Sequence, residues 1–156
     1  MKKCVKLIPA AAVLFTSVIL GGTALAADIW CTAGVLCEGT NRKDVLIGSF
    51  GKDTITGGDG HDIISGSFGD DKLYGQKGND EIYAVENDRR SGGGFFPVPG
   101  KGTPGIDLVD GGTGNDTIRA ADGIKDVIDC GEGTDTVEYD RTLDVIKNCE
   151  TLIPVG

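Results

Sequence analysis

The sequence contains few of the residues on which enzymes and nucleic-acid-binding proteins most often depend. Its 156 residues include one His, one Trp and one Met, and aromatic residues make up 6% of the chain. Neither the H-E-x-x-H motif of zinc proteases nor the G-x-S-x-G motif of α/β-hydrolases occurs. Basic residues are outnumbered by acidic ones, 15 to 24, and the net charge of −9 disfavours binding to nucleic acid or anionic lipid. We therefore expect no enzyme activity and no nucleic-acid partner.

Glycine and acidic residues are what the chain has in excess. Its 26 glycines are about 17% of the residues, where proteins average about 7%. A chain with so much glycine and so few aromatic residues is a poor candidate for an ordinary globular core. The composition points instead to a cation as partner.

Residues 1–26 have the features of a cleaved secretory signal peptide. Three lysines at the start are followed by an apolar stretch over 7–20 and by Ala24-Leu25-Ala26, which fits a cleavage site. A membrane anchor is the alternative, but Pro9 and the short apolar run argue against it. We expect a secreted mature protein of residues 27–156 with no membrane span. Loss of three lysines and no acidic residue would change the net charge from −9 to −12.

Four cysteines lie outside the predicted signal peptide, and an even number in an exported chain favours disulfides. Proximity in sequence suggests the pairs Cys31–Cys37 and Cys130–Cys149, although four cysteines allow three pairings. Zinc is the alternative ligand, but neither pair has the spacing of a zinc site and the lone His61 lies far from both in the sequence.

A nine-residue repeat fills most of the remaining chain. Read from Gly39, it occupies residues 39–83 and resumes over 102–138, with one unit of ten residues at 120–129. The sixth position is Asp in every unit, and the ten-residue unit matches it with Asp126. The eighth position is always aliphatic: Leu46, Ile55, Ile64, Leu73, Ile82, Val109, Ile118, Ile128 and Val137. A repeat this regular indicates a solenoid.

The repeat predicts an all-β fold, a parallel β-roll with two units in each coil. Glycines at the first and fourth positions allow a tight turn, and the last three residues form a short strand whose aliphatic side chain faces inward. One unit cannot bury that side chain alone, so the coils must stack. Phe50 and Phe68 both occupy third positions, 18 residues apart, and should stack on one side of the roll.

Stacked turns create a charge problem that a cation would solve. Coils lie about 4.8 Å apart, and two carboxylates at that distance repel by roughly 3 kcal/mol at an effective dielectric constant near 20. Calcium accepts six to eight oxygen ligands, which two Asp carboxylates and several turn carbonyls can supply. Magnesium requires shorter bonds and retains its water, so it should fit less well.

The units resemble the glycine-rich nonapeptide G-G-x-G-x-D-x-U-x of the RTX (repeats-in-toxin, haemolysin-type) calcium-binding family, where U is aliphatic. Residues 57–65 and 111–119 match every fixed position. The resemblance implies a β-roll that binds several Ca²⁺ ions between its turns, and it implies that five Asp pairs face each other one coil apart: Asp44/Asp62, Asp62/Asp80, Asp53/Asp71, Asp107/Asp126 and Asp116/Asp135.

The metal ligands implied by the resemblance are the sixth-position Asp residues and carbonyls of the turn glycines. Asp59 occupies a variable position and is either an extra ligand or a solvated residue. Two units depart from the pattern, because Arg42 replaces a glycine and the unit containing Asp126 has an extra residue. The implied set is Asp44, Asp53, Gly58, Asp59, Gly60, Asp62, Gly69, Asp71, Gly78, Asp80, Asp107, Gly112, Gly114, Asp116, Asp126, Gly133 and Asp135.

Three segments lie outside the repeats. We expect residues 27–38 to form an N-terminal cap tied by a disulfide, and residues 84–101 to be an insertion loop that leaves the register of the roll unchanged. Residues 139–156 are expected to be a C-terminal capping tail, with Leu143 and Val145 among its buried contacts.

These patterns predict a secreted protein that binds calcium between its turns and folds when the ion binds. The alternative is an extracellular adhesion or matrix protein, or an accessory module of a secreted enzyme. Such a protein would hold a protein or surface partner through its acidic faces or through the 84–101 loop.

Overall fold

The computed structural model describes residues 28–84 and 105–156. The predicted signal peptide and all but the first residue of the predicted insertion loop lie outside the described residues. Within the described ranges the chain forms thirteen β-strands and no helix. Accordingly, no helix in this part of the chain could cross a membrane.

The strands are short and alternate between two sheets. They are β1 (Asp28–Trp30), β2 (Leu36–Glu38), β3 (Val45–Ile47), β4 (Thr54–Asp59), β5 (Ile63–Ser65), β6 (Lys72–Lys77), β7 (Glu81–Tyr83), β8 (Leu108–Thr113), β9 (Thr117–Arg119), β10 (Val127–Asp129), β11 (Thr136–Asp140), β12 (Val145–Lys147) and β13 (Thr151–Val155).

Every strand pairing is parallel, and the two sheets form the two sides of a roll. The seven odd-numbered strands form one sheet in the order β1-β3-β5-β7-β9-β11-β13, and the six even-numbered strands form the other. Each strand therefore pairs with the strand two positions later in the chain, as in a solenoid. The all-β parallel β-roll predicted from the repeat is confirmed.

The aliphatic eighth positions form the core. Parallel registers place them side by side, for example Leu46 with Ile64 and Ile55 with Leu73. Burying one such side chain contributes about 1.5–3 kcal/mol, so the stack is the main apolar contribution to stability. Nine of them have no solvent exposure: Leu46, Ile55, Ile64, Leu73, Ile82, Val109, Ile118, Ile128 and Val137.

The two repeat arrays form one continuous roll. Strand β6 pairs directly with β8, with Leu73 opposite Val109, and β7 pairs with β9, with Ile82 opposite Ile118. The register of the roll is therefore the same before Ala84 and after Gly105.

Both ends of the described chain extend the sheets. At the start, β1 and β2 pair with β3 and β4, and the Cys31–Cys37 disulfide links these two strands. At the end, β12 and β13 pair with β10 and β11, and the second disulfide is Cys130–Cys149. Both disulfide pairings suggested by sequence proximity are confirmed.

The expected burial of two tail residues was wrong. Leu143 is 40% exposed and Val145 is 51% exposed. Val145 immediately precedes Ile146, which packs against the core, and successive side chains of a strand point to opposite faces.

The predicted aromatic stack is present, because the Phe50 and Phe68 rings lie 5.5 Å apart between centroids with planes 12° from parallel.

Candidate metal centre

The turns form two columns, and every turn in them connects one sheet to the other. The first turn column comprises the turns that lead into β3, β5, β7, β9 and β11, and the second comprises those that lead into β4, β6, β8, β10 and β12. The repeat Asp residues of both columns are at most 2% exposed. Nine carboxylates are therefore buried beside the apolar core: Asp44, Asp53, Asp62, Asp71, Asp80, Asp107, Asp116, Asp126 and Asp135.

One oxygen of these carboxylates joins neighbouring coils. The backbone N–H of each Asp donates to Oδ1 of the Asp one coil later, at nitrogen–oxygen distances of 2.7–2.9 Å. All five Asp pairs predicted to face each other are brought together in this way. The ladder also continues past the repeats, from Asp126 to Asp144 and from Asp135 to Glu150.

The other oxygen divides the turns into two kinds. In turns 39–44, 48–53 and 140–144, which we call closed, the N–H of the residue four positions before the Asp donates to Oδ2 of that Asp at 2.6–2.7 Å. In the open turns, that Oδ2 is buried and has no hydrogen-bond partner among the described residues. The open turns are those that end at Asp62, Asp80, Asp116, Asp126 and Asp135.

Backbone conformation accounts for most of this division. The second residue has a positive φ in four open turns: 108° at Gly58, 75° at Gln76, 101° at Gly112 and 103° at Gly131. This left-handed region is one that residues other than Gly and Asn rarely adopt. In the closed turns Thr40 and Ser49 are not in this region, and their side-chain hydroxyls also donate to the carboxylate.

The first-position glycines leave space beside the unpartnered oxygens. A Cβ added to Gly57 would lie 2.5 Å from Asp62 Oδ2 and 2.8 Å from the carbonyl oxygen of Gly75 in the next coil. The same arrangement recurs at Gly75, where the added Cβ would lie 2.5 Å from Asp80 Oδ2 and would overlap the Gly111 carbonyl oxygen. Each space is thus bordered by a carboxylate oxygen and a carbonyl oxygen from neighbouring coils.

Burial makes the ionised carboxylates costly in this environment. It raises the pKa of Asp80 and of Asp116 to about 6 and that of Asp126 to about 8, with neighbouring carboxylates adding to the effect. Burial likewise raises the pKa of Asp62 and Asp135 above the ordinary value. A cation beside these oxygens would offset the cost.

The donor set suits a hard cation. Every donor atom that borders these spaces is an oxygen. The four cysteines of the described residues are held in disulfides and offer no thiolate. Calcium therefore matches the donor atoms better than a soft metal does. No cluster of three or more His, Cys, Asp or Glu side chains within 28–84 and 105–156 is arranged to hold a metal. A bound ion would therefore need backbone carbonyls in addition to at most two carboxylates.

The predicted glycine ligands lie where coils approach most closely. The fourth-position glycines stack on one another: a Cβ on Gly78 would overlap the carbonyl oxygen of Gly60, one on Gly114 that of Gly78, and one on Gly133 that of Gly114. Gly58, Gly69 and Gly112 have positive φ values. These positions accept no side chain without moving the adjacent coil.

Asp59 differs from the other predicted carboxylate ligands. It lies at the surface, where its Oδ1 forms an ion pair with Lys77 Nζ at 3.0 Å. This contact favours the solvated role over that of an extra ligand.

Three acidic residues near the candidate metal centre lie outside the ligand set implied by the sequence: Asp122, Asp144 and Glu150. Asp144 could have been found by reading residues 139–147 as a further unit without glycines. In that reading Asp144 occupies the sixth position and Ile146 the eighth.

A parallel roll with stacked acidic, glycine-rich turns defines a class of calcium-binding repeat proteins. The family model for the RTX calcium-binding nonapeptide repeat matches in four copies, over residues 38–73, 57–85 and 101–137, which together cover more than half of the chain. The chain belongs to this family. Neither the curated proteins nor the solved structures include a match.

Proposed function

We propose that the protein is an exported calcium-binding protein whose roll folds when Ca²⁺ enters the spaces between successive turns. The observation that carries this proposal is the set of buried, unpartnered Oδ2 atoms in the open turns. An isolated buried charge is strongly unfavourable unless it is paired or bound to a metal. Bound Ca²⁺ would neutralise this charge.

The ligand assignment follows the two kinds of turn. We assign the ions to Asp62, Asp80, Asp116, Asp126 and Asp135, with first-position carbonyls of the next coil as further ligands. Asp71 and Asp107 occupy the equivalent places in the second turn column. Asp44 lies in a closed turn, and we infer that it caps the first complete coil instead of holding an ion. Asp53 also lies in a closed turn, but its Oδ1 is buried without a hydrogen-bond partner among the described residues, so it remains a candidate ligand.

Export is supported by the sequence of residues 1–26 and by the two disulfides. Disulfides persist in oxidising compartments outside the cytoplasm, where calcium is also abundant. In this proposal the chain crosses the membrane before its turns stack, and calcium outside the cell then drives folding of the roll.

Equilibrium dialysis of the disulfide-bonded chain against Ca²⁺ tests the binding directly. We expect several ions per chain, retained in an excess of Mg²⁺, and fewer ions in the variant Asp80→Asn. The variant Asp59→Asn is the matched control, because Asp59 is exposed and pairs with Lys77. An unchanged stoichiometry in Asp80→Asn, or no bound calcium in the wild-type chain, would overturn the proposal.

A further inference from the structure

The exposed apolar side chains are concentrated at the two ends of the roll. Of the nine large exposed apolar residues in the described part of the chain, six lie in the first and last coils. They are Trp30, Leu36, Leu143, Val145, Leu152 and Ile153. The terminal repeats of solenoid proteins need a polar outer face to remain soluble. The ends of this roll therefore resemble an interface more than a pair of caps.

At the C-terminal end the core of the roll is open. Leu152 lies opposite Val137 in the register of β13 and β11, so it is the next member of the aliphatic core stack. Leu152 is nevertheless 46% exposed, whereas Val137 has no solvent exposure. A further coil stacked on this end would bury Leu152.

The end strands of the seven-stranded sheet direct backbone groups away from the roll. In β13 the Thr151 N–H and the Val155 carbonyl bond to the β11 side. Alternate residues of a parallel strand bond to the same neighbour, so the N–H and carbonyl of Leu152 face outward. At the other end, the Cys31 N–H donates to the last carbonyl of β3, so the backbone of Trp30 also faces outward.

Extending the register of the roll onto the start of a second copy matches the two ends position by position. With core positions aligned as in BP-type parallel pairs, β1 of the second copy follows β13, and its β2 follows β12. Ile153 then lies beside Trp30 of the second copy, and Val145 lies beside Leu36 of that copy. These four side chains are between 45% and 56% exposed in the single chain.

The same alignment brings opposite charges together on the outer face. Lys147 follows the core position of β12, and Glu38 follows that of β2, so the two become cross-strand neighbours. Lys147 already forms an ion pair with Asp129 of the preceding strand, at 2.6 Å. Its ammonium would then lie between two carboxylates, which favours this pairing of ends.

Pro154 disfavours the contact of one C-terminal end with another. It lies two residues after Leu152, in the outward phase of β13, and has no N–H to donate. The strand β1 ends at Trp30, which the alignment places beside Ile153, so pairing with β1 requires no donor from Pro154. Two β13 strands related by a two-fold axis would pair antiparallel, and each would lack that donor.

We propose that folded copies of this chain associate head to tail, with the C-terminal end of one roll docked on the N-terminal end of the next. The contact joins two different surfaces, so it does not close on itself and produces rows of rolls. Predicted cleavage after Ala26 would leave β1 accessible at the start of the mature chain. The inference concerns the assembly of the folded roll and goes beyond the proposed calcium binding.

Sedimentation velocity of disulfide-bonded residues 27–156 in saturating calcium, over a range of protein concentrations, tests the proposal. We expect the average mass of the wild type to rise with concentration. Trp30→Asp and Ile153→Asp each place a charge at one end and should be monomeric. An equimolar mixture of the two should form dimers and nothing larger, because each variant retains one intact end. Leu108→Asp is the matched control, since Leu108 is an exposed apolar residue in the middle of the roll, and it should associate like the wild type.

A second pair of variants tests the alignment of the strands. Glu38→Lys and Lys147→Glu each place like charges beside one another in the docked ends, so each alone should associate about two- to fivefold more weakly than the wild type. Mixing the two variants restores opposite charges at every contact. The association of the mixture should therefore exceed that of either variant alone.

The outcomes decide between the possible arrangements. A wild-type chain that is monomeric at every concentration overturns the inference. Wild-type association of Trp30→Asp alone also overturns it, because two C-terminal ends would then meet. A mixture of the two Asp variants without dimers overturns it when both have the wild-type circular dichroism spectrum. If either spectrum is altered, the charge variants decide, and a mixture without restored association overturns the inference. Calcium stoichiometry is measured separately, so a monomeric chain that binds calcium leaves the proposed function intact.

Discussion

Two turns with the same tetrapeptide, Gly-Ser-Phe-Gly, adopt different structures at the end and in the middle of the roll. In the turn 48–53, the N–H and hydroxyl of Ser49 donate to Asp53 Oδ2, at 2.6 and 2.9 Å. In the turn 66–71, one coil later, Ser67 has a φ of 69° and its hydroxyl contacts the Gly48 carbonyl oxygen at 3.4 Å. The same tetrapeptide therefore adopts two backbone conformations at two places in the stack.

The difference shows what stacking does to the acidic turns. A closed turn satisfies Oδ2 of its Asp within the turn, although Oδ1 of Asp53 is buried without a hydrogen-bond partner among the described residues. An open turn leaves one carboxylate oxygen buried and unpartnered. The Oδ2 atoms of the open turns would therefore depend on the proposed ion, whereas those of the closed turns are bonded within the turn. The following predictions test that comparison.

The largest effect is expected where coils are in closest contact. Gly78→Ala adds a Cβ that overlaps the Gly60 carbonyl oxygen, at a residue whose φ is 132°, and should destabilise the chain by more than about 3 kcal/mol. Gly34→Ala is the matched control, with a φ of 73° and no atom within 4 Å of the added Cβ. Its cost should be limited to the left-handed strain of about 1–2 kcal/mol. Urea unfolding in saturating calcium measures both, and equal losses would contradict the close stacking of coils.

An open and a closed Asp should respond differently to loss of charge. Asp80→Asn removes a carboxylate with an unpartnered oxygen, so calcium affinity should fall by about tenfold or more, since ligand charge sets affinity. Asp44→Asn weakens the bonds from Thr40 and should cost about 1 kcal/mol of stability with little change in affinity. Calorimetric calcium titration and urea unfolding compare the two, and an equal loss of affinity would remove the distinction between the turns.

Acidification should stabilise the roll when calcium is absent. Burial raises the pKa of Asp80 and Asp116 to about 6 from the ordinary value of 3.8, so the folded chain binds more protons than the unfolded chain between these two pH values. Stability is therefore greatest below about pH 4 for these groups and is lost as pH rises through 6. Protons and calcium compete for the same oxygens, so calcium affinity should change in the opposite direction. Urea midpoints at pH 7.5 and pH 5 in calcium-free buffer check this, and a lower midpoint at pH 5 would contradict it.

The smallest effect concerns the two serines of the repeated tetrapeptide. Ser49→Gly removes the hydroxyl bond to Asp53 and adds freedom to the unfolded chain, which should cost about 1–2 kcal/mol. Ser67→Gly removes the strain of a left-handed φ but gives the unfolded chain the same additional freedom. The two effects oppose each other, so the stability of this variant should stay within about 0.5 kcal/mol of the wild type. Thermal unfolding in calcium compares the two variants. Equal destabilisation would show that the two turns do not differ in solution.

Much of the fold could be predicted because every repeat unit carries the same pattern of glycine, Asp and aliphatic positions. Residues such as Leu46 and Ile64 recur at one position of the unit, and the structure buries all nine of them in register. The facing Asp pairs follow from the same period. Sequence proximity was enough for the disulfides because Cys31 and Cys37 lie only six residues apart, and Cys130 and Cys149 lie 19 residues apart, which places them in successive coils.

The remaining features depend on contacts that have no repeated pattern. Asp144 and Glu150 continue the hydrogen-bond ladder from units that lack the turn glycines, so the motif does not identify them. The open and closed turns could not be separated because Ser49 and Ser67 have identical neighbours on either side. Their difference is visible only in the assembled roll, where Ser67 and not Ser49 has a positive φ.

The most direct test of calcium-driven folding is a far-UV circular dichroism titration of the disulfide-bonded chain, first freed of calcium by a chelator. A cooperative gain of β signal with Ca²⁺, and little gain with the same concentration of Mg²⁺, is the result we predict. A chain that is already fully folded in the chelator and unchanged by calcium would contradict the account, because the aliphatic core and the disulfides would then stabilise the open turns without an ion.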